Sequence, residues 1–293
     1  MHFKFDREYQ LQINHNKINV VEWGDPDGEP VLCLHGWLDN AATFHYLAPL
    51  LTNTTKYRLI AIEFPGHGQS EHLHPAADYQ FISGIAIMDG VIDILKLNKP
   101  KLLAHSMGAA LSSIYAGVFP QKVASIVSLD ALGALVSTPE GTVKQLAKAL
   151  EQRKAKRNKK RYFQTLQEAA QARAQVSELP VNILLPLIER GVTLCEDGYQ
   201  WSSDARLKHL SWLRLTEPQM EAVMREIACP VLVVMASDGL YKDYPAIEQR
   251  FDYLQHVERI DIEGGHHLHM QFADQISGKI LEFWSKNEQK SLN

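Results

Sequence analysis

The chain of 293 residues is 45% hydrophobic and 22% charged, enough to bury a full core in one large domain or in a domain that carries an insertion. Its net charge of -4 favours neither nucleic acid nor an anionic membrane as a partner. Three scattered cysteines, Cys33, Cys195 and Cys229, argue against a disulfide framework and a zinc ribbon. Because the chain shows no apolar signal core and no bilayer-length apolar run, it predicts a cytoplasmic location. The oligomeric state is left open.

The N-terminal part predicts alternating strands and helices. Residues 9–14 and 18–23 alternate polar and apolar side chains and predict an antiparallel hairpin. Residues 31–34 are continuously apolar, which is typical of a strand buried on both faces of a parallel sheet. The remaining elements expected here are helices at 43–51 and 81–97 and strands at 57–64, 101–104 and 123–129. This order predicts right-handed crossovers and a mostly parallel central sheet.

The alternation breaks after this last strand. Residues 133–226 predict a mostly helical segment, with helices at 142–150, 162–176, 180–189 and 217–225. Strands then resume at 230–235 and 259–262, and a last helix covers 274–284. We therefore expect an α/β core of residues 1–132 and 227–293, with 133–226 as an inserted helical cap over the carboxyl edge of the sheet, where such sheets bind ligands.

A serine lies between a predicted strand and a predicted helix. Ser106 is flanked by the small residues Ala104, Gly108 and Ala109, which match G-x-S-x-G except that Ala replaces the first Gly. Small residues are needed where strand and helix backbones meet in a nucleophile elbow. Such a turn exposes the serine hydroxyl and aims the N–H of Met107 at the oxygen of an attacked carbonyl. The alternative is an ordinary turn with Ser106 as helix N-cap.

Two further loops follow predicted strands. In His35-Gly36-Trp37, the glycine lets the loop fold over the sheet edge, so that the N–H of Trp37 is a candidate second oxyanion donor. A plain strand-to-helix loop is the alternative. The glycine-rich loop 65–70 has neither the spacing of a Walker loop nor G-x-G-x-x-G, so we do not expect it to bind phosphate.

A serine nucleophile needs a histidine base, and in this topology the order along the chain is Ser, acid, His. His266 follows the last strand and two glycines and is the predicted base; His267 is the second choice, and His269 is expected to pack or hydrogen-bond locally. We expect no metal at this trio, because no matching acidic cluster accompanies it. Other histidines at sheet-edge loops are expected to serve as local hydrogen-bond partners: His35, His67 and His105.

The acid has two candidates. Asp130 ends the strand after the elbow helix, and Asp238 follows the next strand, so that chain order does not choose between them. Each is also compatible with a simple strand-end turn.

A separate feature, the basic stretch 144–161, is typical of a solvated helix face or loop, and it lacks the aromatic residues that an RNA-binding patch would carry.

With these residues assembled, the chain resembles the α/β-hydrolase superfamily over nearly its whole length. Residues 30–41 (PVLCLHGWLDNA), 189–193 and 265–270 are similar, more narrowly, to the serine hydrolase-like protein family. In common hydrolases the acid follows the penultimate strand. The corresponding position in this chain is Gly239, one residue past Asp238. The related haloalkane dehalogenases place a carboxylate after the earlier strand, and residues 128–131 look like that, which favours Asp130. Dehalogenases carry Asp at the elbow, so Ser106 argues against dehalogenation. Glu63 departs from the Asp usual before the loop 64–68.

The sequence therefore predicts a serine hydrolase, most simply a carboxylesterase acting on a small acyl ester without metal or organic cofactor. Ser106 would attack, His266 would act as base and Asp130 would orient it. We expect the cap to set acyl-chain choice through three candidate lining residues: Trp201, Trp212 and Leu213. The alternatives are an α/β-hydrolase of another reaction type, such as thioester or carbon–carbon bond hydrolysis, and a non-catalytic ligand-binding member.

Overall fold

A computed structural model describes residues 3–53, 56–155, 161–177 and 179–291. The described residues form one eight-stranded sheet and one two-stranded sheet. The strands are β1 Arg7–Ile13, β2 Asn16–Gly24, β3 Glu29–Leu34, β4 Tyr57–Ile62, β5 Lys101–His105, β6 Ser125–Leu129, β7 Val192–Cys195, β8 Gly198–Trp201, β9 Val231–Asp238 and β10 Val257–Gly265. The helices are α1 Ala48–Thr52, α2 Gly84–Ile94, α3 Met107–Val118, α4 Thr142–Lys154, α5 Leu166–Ser177, α6 Val181–Gly191, α7 Glu217–Arg225, α8 Ile247–Phe251, α9 Leu268–Gln271 and α10 Ala273–Ser291.

The large sheet has the strand order β1-β2-β4-β3-β5-β6-β9-β10. β1 and β2 form the predicted antiparallel hairpin, and β2 also pairs antiparallel with β4. Every other pairing in this sheet is parallel. The expectation of a mostly parallel central α/β sheet is therefore confirmed.

The central strands are buried on both faces of the sheet. Their side chains alternate between the two faces and so contribute to two separate cores. Leu32 and Leu34 of β3 belong to a core that includes apolar residues of α2 and α3. Val31 and Cys33, between them, belong to a second core with α1 and α10. All residues of β5 and β6 are buried. The continuous apolar runs of the sequence thus correspond to strands covered on both sides, as expected.

Helices α4, α5, α6 and α7 lie between β6 and β9, as the sequence predicts for residues 133–226. The segment also contains the β7–β8 hairpin, which lies between the helices predicted at 180–189 and 217–225 and for which no element was predicted. The two-residue loop Glu196-Asp197 is followed by Gly198, whose φ of 118° few other residues adopt, and this glycine permits the tight turn. A small apolar core, with Phe163 and Leu184 among its members, packs α5, α6 and the β7–β8 hairpin together.

Four other elements differ in their boundaries from expectation. The helix predicted at 43–51 is a 3-10 turn, Ala41–Phe44, followed by α1; Pro49 lies in the first turn of α1, where it is tolerated, but it lacks the N–H that one continuous helix would need. The helix predicted at 81–97 begins with a 3-10 turn and ends at Ile94. β9 and β10 are longer than predicted.

Two predictions about surfaces can be compared with the structure in part. In the basic stretch 144–161, residues 156–160 lie outside the described residues. The preceding part lies on α4, where Ala149 is the buried residue and the charged side chains are exposed or half-buried. Within the described ranges, no helix combines the length and apolar character that a membrane span requires.

Candidate active site

Ser106 occupies a sharp turn between β5 and α3. Its backbone has a φ of 50° and a ψ of −111°, a conformation that costs on the order of 1–3 kcal/mol and occurs mainly at functional sites. The packing explains the small neighbours, since a Cβ on Gly108 would lie 2.3 Å from the carbonyl oxygen of Leu34. Ala104, where the motif has Gly, is fully buried. The Ser106 side chain makes no N-cap hydrogen bond, which excludes the simple N-cap alternative.

The hydroxyl of Ser106 bonds His266 instead. Ser106 Oγ lies 2.8 Å from His266 Nε2, and His266 Nδ1 lies 2.5 Å from Asp130 Oδ2. Because an ionised carboxylate is an acceptor, Nδ1–H donates to Asp130 and Nε2 is left to accept from Ser106. This is the tautomer that can remove a proton from a serine hydroxyl. The structure thus brings together the three residues that the sequence singled out.

Backbone donors fix the carboxylate of Asp130. Asp130 is fully buried after β6, and its Oδ1 accepts from the N–H of Ala236 at 2.9 Å. Its Oδ2 accepts from the N–H of Leu240 at 3.0 Å, besides the bond with His266. Charge-assisted bonds of this kind are strong and directional, so the carboxylate holds the imidazole in one orientation.

The other candidate acid, Asp238, lies elsewhere. Its side chain is 62% exposed and pairs with Lys242 at 2.6 Å, and the hydrogen bond with Lys242 lowers the pKa of Asp238. The next residue, Gly239, shows why the earlier strand supplies the partner of His266. A Cβ at Gly239 would lie 2.2 Å from Asp130 Oδ2, so the Asp130 carboxylate fills the space that a side chain at 239 would need.

The candidate oxyanion donors are two backbone N–H groups at the same sheet edge. Met107 is the first residue of α3, so its N–H has no acceptor within the helix. Trp37 lies in a turn closed by the bond from Asp39 N to Gly36 O at 3.1 Å. The Trp37 side chain is 50% exposed, and its indole N–H donates to Leu207 O at 3.0 Å. The positions of these two N–H groups are compatible with an oxyanion hole, so both stay candidates for that role.

His35 and His67 are buried beside the loop that follows β4. His35 accepts from the N–H of Phe64 at 3.1 Å, and His67 donates to the carbonyl of Pro65 at 3.1 Å. Burial lowers the pKa of His35 and lowers that of His67 to about 3. Both are therefore neutral near pH 7 and serve as local hydrogen-bond partners, as expected.

The other histidines form a buried cluster around Asp39, which sequence reasoning had not singled out. His267 Nε2 lies 3.2 Å from Asp39 Oδ2, so the second-choice base faces away from Ser106. His105 donates through Nε2 to the carbonyl of His266 at 2.9 Å, and His269 bonds Thr43 Oγ1 at 2.7 Å. His105 therefore bonds a residue that is distant in the chain and not a local one, whereas His269 is fully buried and packs against His105, with ring centroids 4.2 Å apart, as expected.

Asp39, His105 and His267 could in principle hold a metal ion, because one ligand atom of each lies within 4.8 Å of the others. However, the guanidinium of Arg173 lies 2.7 Å from Asp39 Oδ1. This positive charge disfavours a divalent cation at the same carboxylate. We therefore assign no metal to the cluster.

The predicted lining residues have other partners. Trp201 packs edge-on against Phe163, with ring centroids 5.2 Å apart, in the small core of the inserted segment. The Trp212 indole donates to Asp78 Oδ2 at 2.8 Å, and Leu213 is 63% exposed. These contacts do not involve Ser106, so the role of the three side chains stays a prediction.

The inserted segment contacts the loops that follow β3 and β4. Asn40 donates to the carbonyl of Leu187 at 2.9 Å, and Trp37 reaches Leu207 as described above. Arg190 forms a buried bidentate pair with Glu63, at 2.6 and 3.0 Å. Glu63, which stands where Asp is usual in the resembled family, therefore has a partner from the inserted segment.

Comparisons with known proteins agree with this geometry. The family profile described as the alpha/beta hydrolase fold matches residues 29–273. The chain belongs to the α/β hydrolase family. A serine hydrolase-like protein of Danio rerio is 28% identical to this α/β hydrolase over 94% of the chain and 87% of the relative. A serine hydrolase-like protein of Dictyostelium discoideum is 30% identical over 94% of the chain and 80% of the relative.

Two solved structures extend the comparison. A hypothetical protein from Pseudomonas aeruginosa PAO1 is 32% identical to this α/β hydrolase, with a TM-score of 0.89 over 96% of the chain and 100% of that protein. The thioesterase domain from the curacin biosynthetic pathway is 27% identical, with a TM-score of 0.83 over 94% of the chain and 99% of that domain. The resemblance to serine hydrolase-like α/β hydrolases is confirmed.

Proposed function

We propose that this α/β hydrolase is a serine hydrolase that cleaves carboxylic esters of small acyl groups through an acyl-enzyme. One observation carries the proposal: His266 lies between Ser106 and Asp130, in the tautomer that accepts the serine proton. Serine at its ordinary pKa is a weak nucleophile, and a base held in this way activates it.

The first half-reaction forms the acyl-enzyme. Ser106 Oγ attacks the ester carbonyl while its proton moves to His266 Nε2. The N–H groups of Met107 and Trp37 would stabilise the oxygen that becomes negative, and each such donor is typically worth ~10²–10³-fold in kcat. His266 then gives the proton to the leaving alcohol oxygen, and the C–O bond breaks.

The second half-reaction returns the enzyme to its starting state. Water gives a proton to His266 Nε2 and attacks the acyl carbon, and the proton returns to Ser106 as the acid leaves. Asp130 stays ionised throughout and stabilises the imidazolium in both steps. All the groups needed for this chemistry belong to the chain, so the proposal needs no metal or organic cofactor.

Two exposed apolar side chains next to these groups support an apolar acyl substrate. Trp37 carries one candidate oxyanion N–H, and Leu240 donates its N–H to Asp130; both side chains are 50% exposed. The contacts between the inserted segment and the loops after β3 and β4 support a cap role for residues 133–226. A cytoplasmic location stays a prediction, consistent with three free cysteines.

A fluorophosphonate probe tests the proposal, because it labels serines that a base has activated. We expect labelling at Ser106, none in Ser106→Ala, and normal labelling in the control Ser113→Ala. Ser113 lies on the same helix, where its hydroxyl bonds the carbonyl of Ala109 at 3.1 Å. If the wild-type chain does not label, the serine-hydrolase proposal is wrong and a ligand-binding role becomes the better explanation.

Thioester hydrolysis is the second candidate, favoured by the likeness to the curacin thioesterase domain. Matched oxyesters and thioesters with the same acyl groups, acetyl to octanoyl, separate the two. A higher kcat/KM for the oxyester of each pair supports the first proposal. A consistent preference for thioesters supports the second. Labelling of Ser106 without hydrolysis of either series would favour another reaction type, such as carbon–carbon bond hydrolysis.

A further inference from the structure

Asp39 is a buried carboxylate held by side chains from three parts of the chain. It is 2% exposed and follows β3. Its Oδ1 accepts from Arg173 at 2.7 Å, and its Oδ2 accepts from His267 at 3.2 Å. Burial alone would raise the pKa of Asp39, but its interactions with His267, His105 and Arg173 outweigh burial and hold that pKa well below the usual value. Asp39 is therefore a negative charge inside the protein.

A buried charge of this kind needs a permanent counter-charge. Two of the surrounding imidazoles do not supply one, because burial lowers the pKa of His105 to about 4 and lowers that of His269 well below its usual value. Arg173 is always protonated. Among the described residues, Arg173 is the arginine that bonds Asp39. It lies on α5, in the inserted segment.

The cluster around Asp39 also contacts the residue that carries the proposed base. His105 donates to the backbone carbonyl of His266 at 2.9 Å, and the two rings lie 4.7 Å apart. His267, which bonds Asp39, is the next residue in the chain. The groups that face His266 are Asp130 after β6, Ser106 and His105 at the end of β5, and His267. Asp39, His269 and Arg173 lie behind this layer.

From this arrangement we propose that Arg173 and Asp39 are positioning residues for His266. Asp39 bonds His267, the residue next to the base, and Arg173 balances the charge of Asp39. The inserted segment therefore supplies a charge on which the protonation of the base depends. This inference rests on the proposed function, in which His266 must be neutral to accept the proton of Ser106.

Removing Arg173 should shift the pH dependence of activity in one predictable direction. The Arg173→Gln variant removes the permanent positive charge beside Asp39 and leaves His267 as its remaining bonded partner, and a nearby net negative charge favours protonated imidazole. The acid limb of the pH profile of kcat/KM should therefore move to higher pH by about one unit, the size expected for one unit charge in a partly buried site. Activity should recover near pH 9. KM for a short ester should change much less than kcat at pH 7.

Three further variants, compared with Arg173→Gln, separate charge balance from a merely structural role. Arg173→Lys keeps the positive charge and should restore most of the wild-type profile. The double variant Asp39→Asn/Arg173→Gln removes both charges, and its acid limb should return toward the wild-type midpoint. The matched control is Arg153→Gln, because Arg153 also links the inserted segment to the core, through Asp78 at 3.0 Å, away from the cluster.

Certain results would overturn the inference. These are an unmoved acid limb in Arg173→Gln, an equal shift in Arg153→Gln, or a loss of kcat that is the same at every pH. NMR titration of the His266 ring in the wild type and in these variants measures the same midpoint without substrate. If the wild type fails to label with fluorophosphonate while the ring midpoint still moves, the proposed function is wrong and the positioning network stands.

Discussion

The Asp130→Asn substitution is the sharpest test of the proposed site, because the structure fixes what an amide would meet there. Asp130 Oδ1 accepts one backbone N–H, from Ala236, whereas Oδ2 accepts two donors, from Leu240 and His266. An asparagine has one acceptor oxygen and one NH2 group. It can therefore match one of these two positions but not both.

If the amide oxygen takes the Oδ2 position, its NH2 group faces the N–H of Ala236, and a buried donor loses its acceptor at a cost of about 1–3 kcal/mol. If the amide turns over, NH2 faces His266 Nδ1. The imidazole must then carry its proton on Nε2, where it cannot accept from Ser106. In the first case the imidazolium also loses its carboxylate partner. Either orientation reduces the rate.

The expected loss in kcat is ~10³–10⁴-fold, the size found when a triad carboxylate becomes an amide. This corresponds to about 4–5.5 kcal/mol of transition-state stabilisation. The assay is hydrolysis of the best ester from the acyl series at pH 7, together with urea unfolding, which should show a stability loss of about 1–3 kcal/mol. A rate loss much larger than the stability loss would identify a functional role.

The control is Asp238→Asn, which removes the exposed pair with Lys242. Exposed ion pairs contribute little to stability, so this variant should keep its rate within about twofold. Equal rates in wild type and Asp130→Asn, or a larger loss in Asp238→Asn, would refute the assignment of Asp130 to His266.

Two further predictions follow from the packing and the buried histidines. Gly239→Ala places a Cβ 2.2 Å from Asp130 Oδ2, so ester hydrolysis should fall at least tenfold, a loss of about 1.4 kcal/mol; Gly278→Ala, with nothing within 4 Å of its Cβ, should keep the wild-type rate, and equal rates in both variants would contradict the packing argument. Burial lowers the pKa of His67 to about 3 and that of His105 to about 4. The unfolded chain then binds protons first as the pH falls below the ordinary value of about 6.5, and each histidine should reduce the free energy of unfolding by about 2 kcal/mol at pH 5 relative to pH 8. Urea unfolding of wild type and His67→Gln measures this, and parallel pH dependences would contradict it.

Local patterns were sufficient to predict the sheet and the position of the elbow. β3, β5 and β6 are largely apolar and lack a regular polar alternation, as a strand covered on both faces allows. Ser106 was recognisable because the close approach of α3 to β3 requires small residues around it. His266 was recognisable because it follows the last strand of the sheet. Each of these signals lies within a few residues of the feature that it predicts.

The choice of acid depends on a contact between two strands, which is why chain order left it open. Asp130 and Asp238 both end strands that precede His266. Gly239 is the residue that distinguishes the two candidates, because it stands at the position where common hydrolases carry their acid. Its lack of a side chain leaves room for the carboxylate that arrives from β6. A resemblance favoured Asp130, and the geometry gives the physical reason for that preference.

The cluster around Asp39 was beyond prediction for a different reason. Arg173 lies 134 residues from Asp39 in the chain, on a helix whose own pattern shows only an exposed polar face with a few buried alanines. Thr43 and His269 are 226 residues apart. No local period links such pairs, and an arginine on a solvated helix is ordinary.

The same long-range contacts give the inserted segment a structural role besides its proposed role as a cap. The bidentate pair of Arg190 with Glu63 and the pair of Arg173 with Asp39 both place a guanidinium from this segment on a buried carboxylate of the core. Removing one partner of such a pair leaves an uncompensated buried charge, which is costly. Exchange of this segment for that of another α/β hydrolase would therefore disturb the core, unless both arginines were retained.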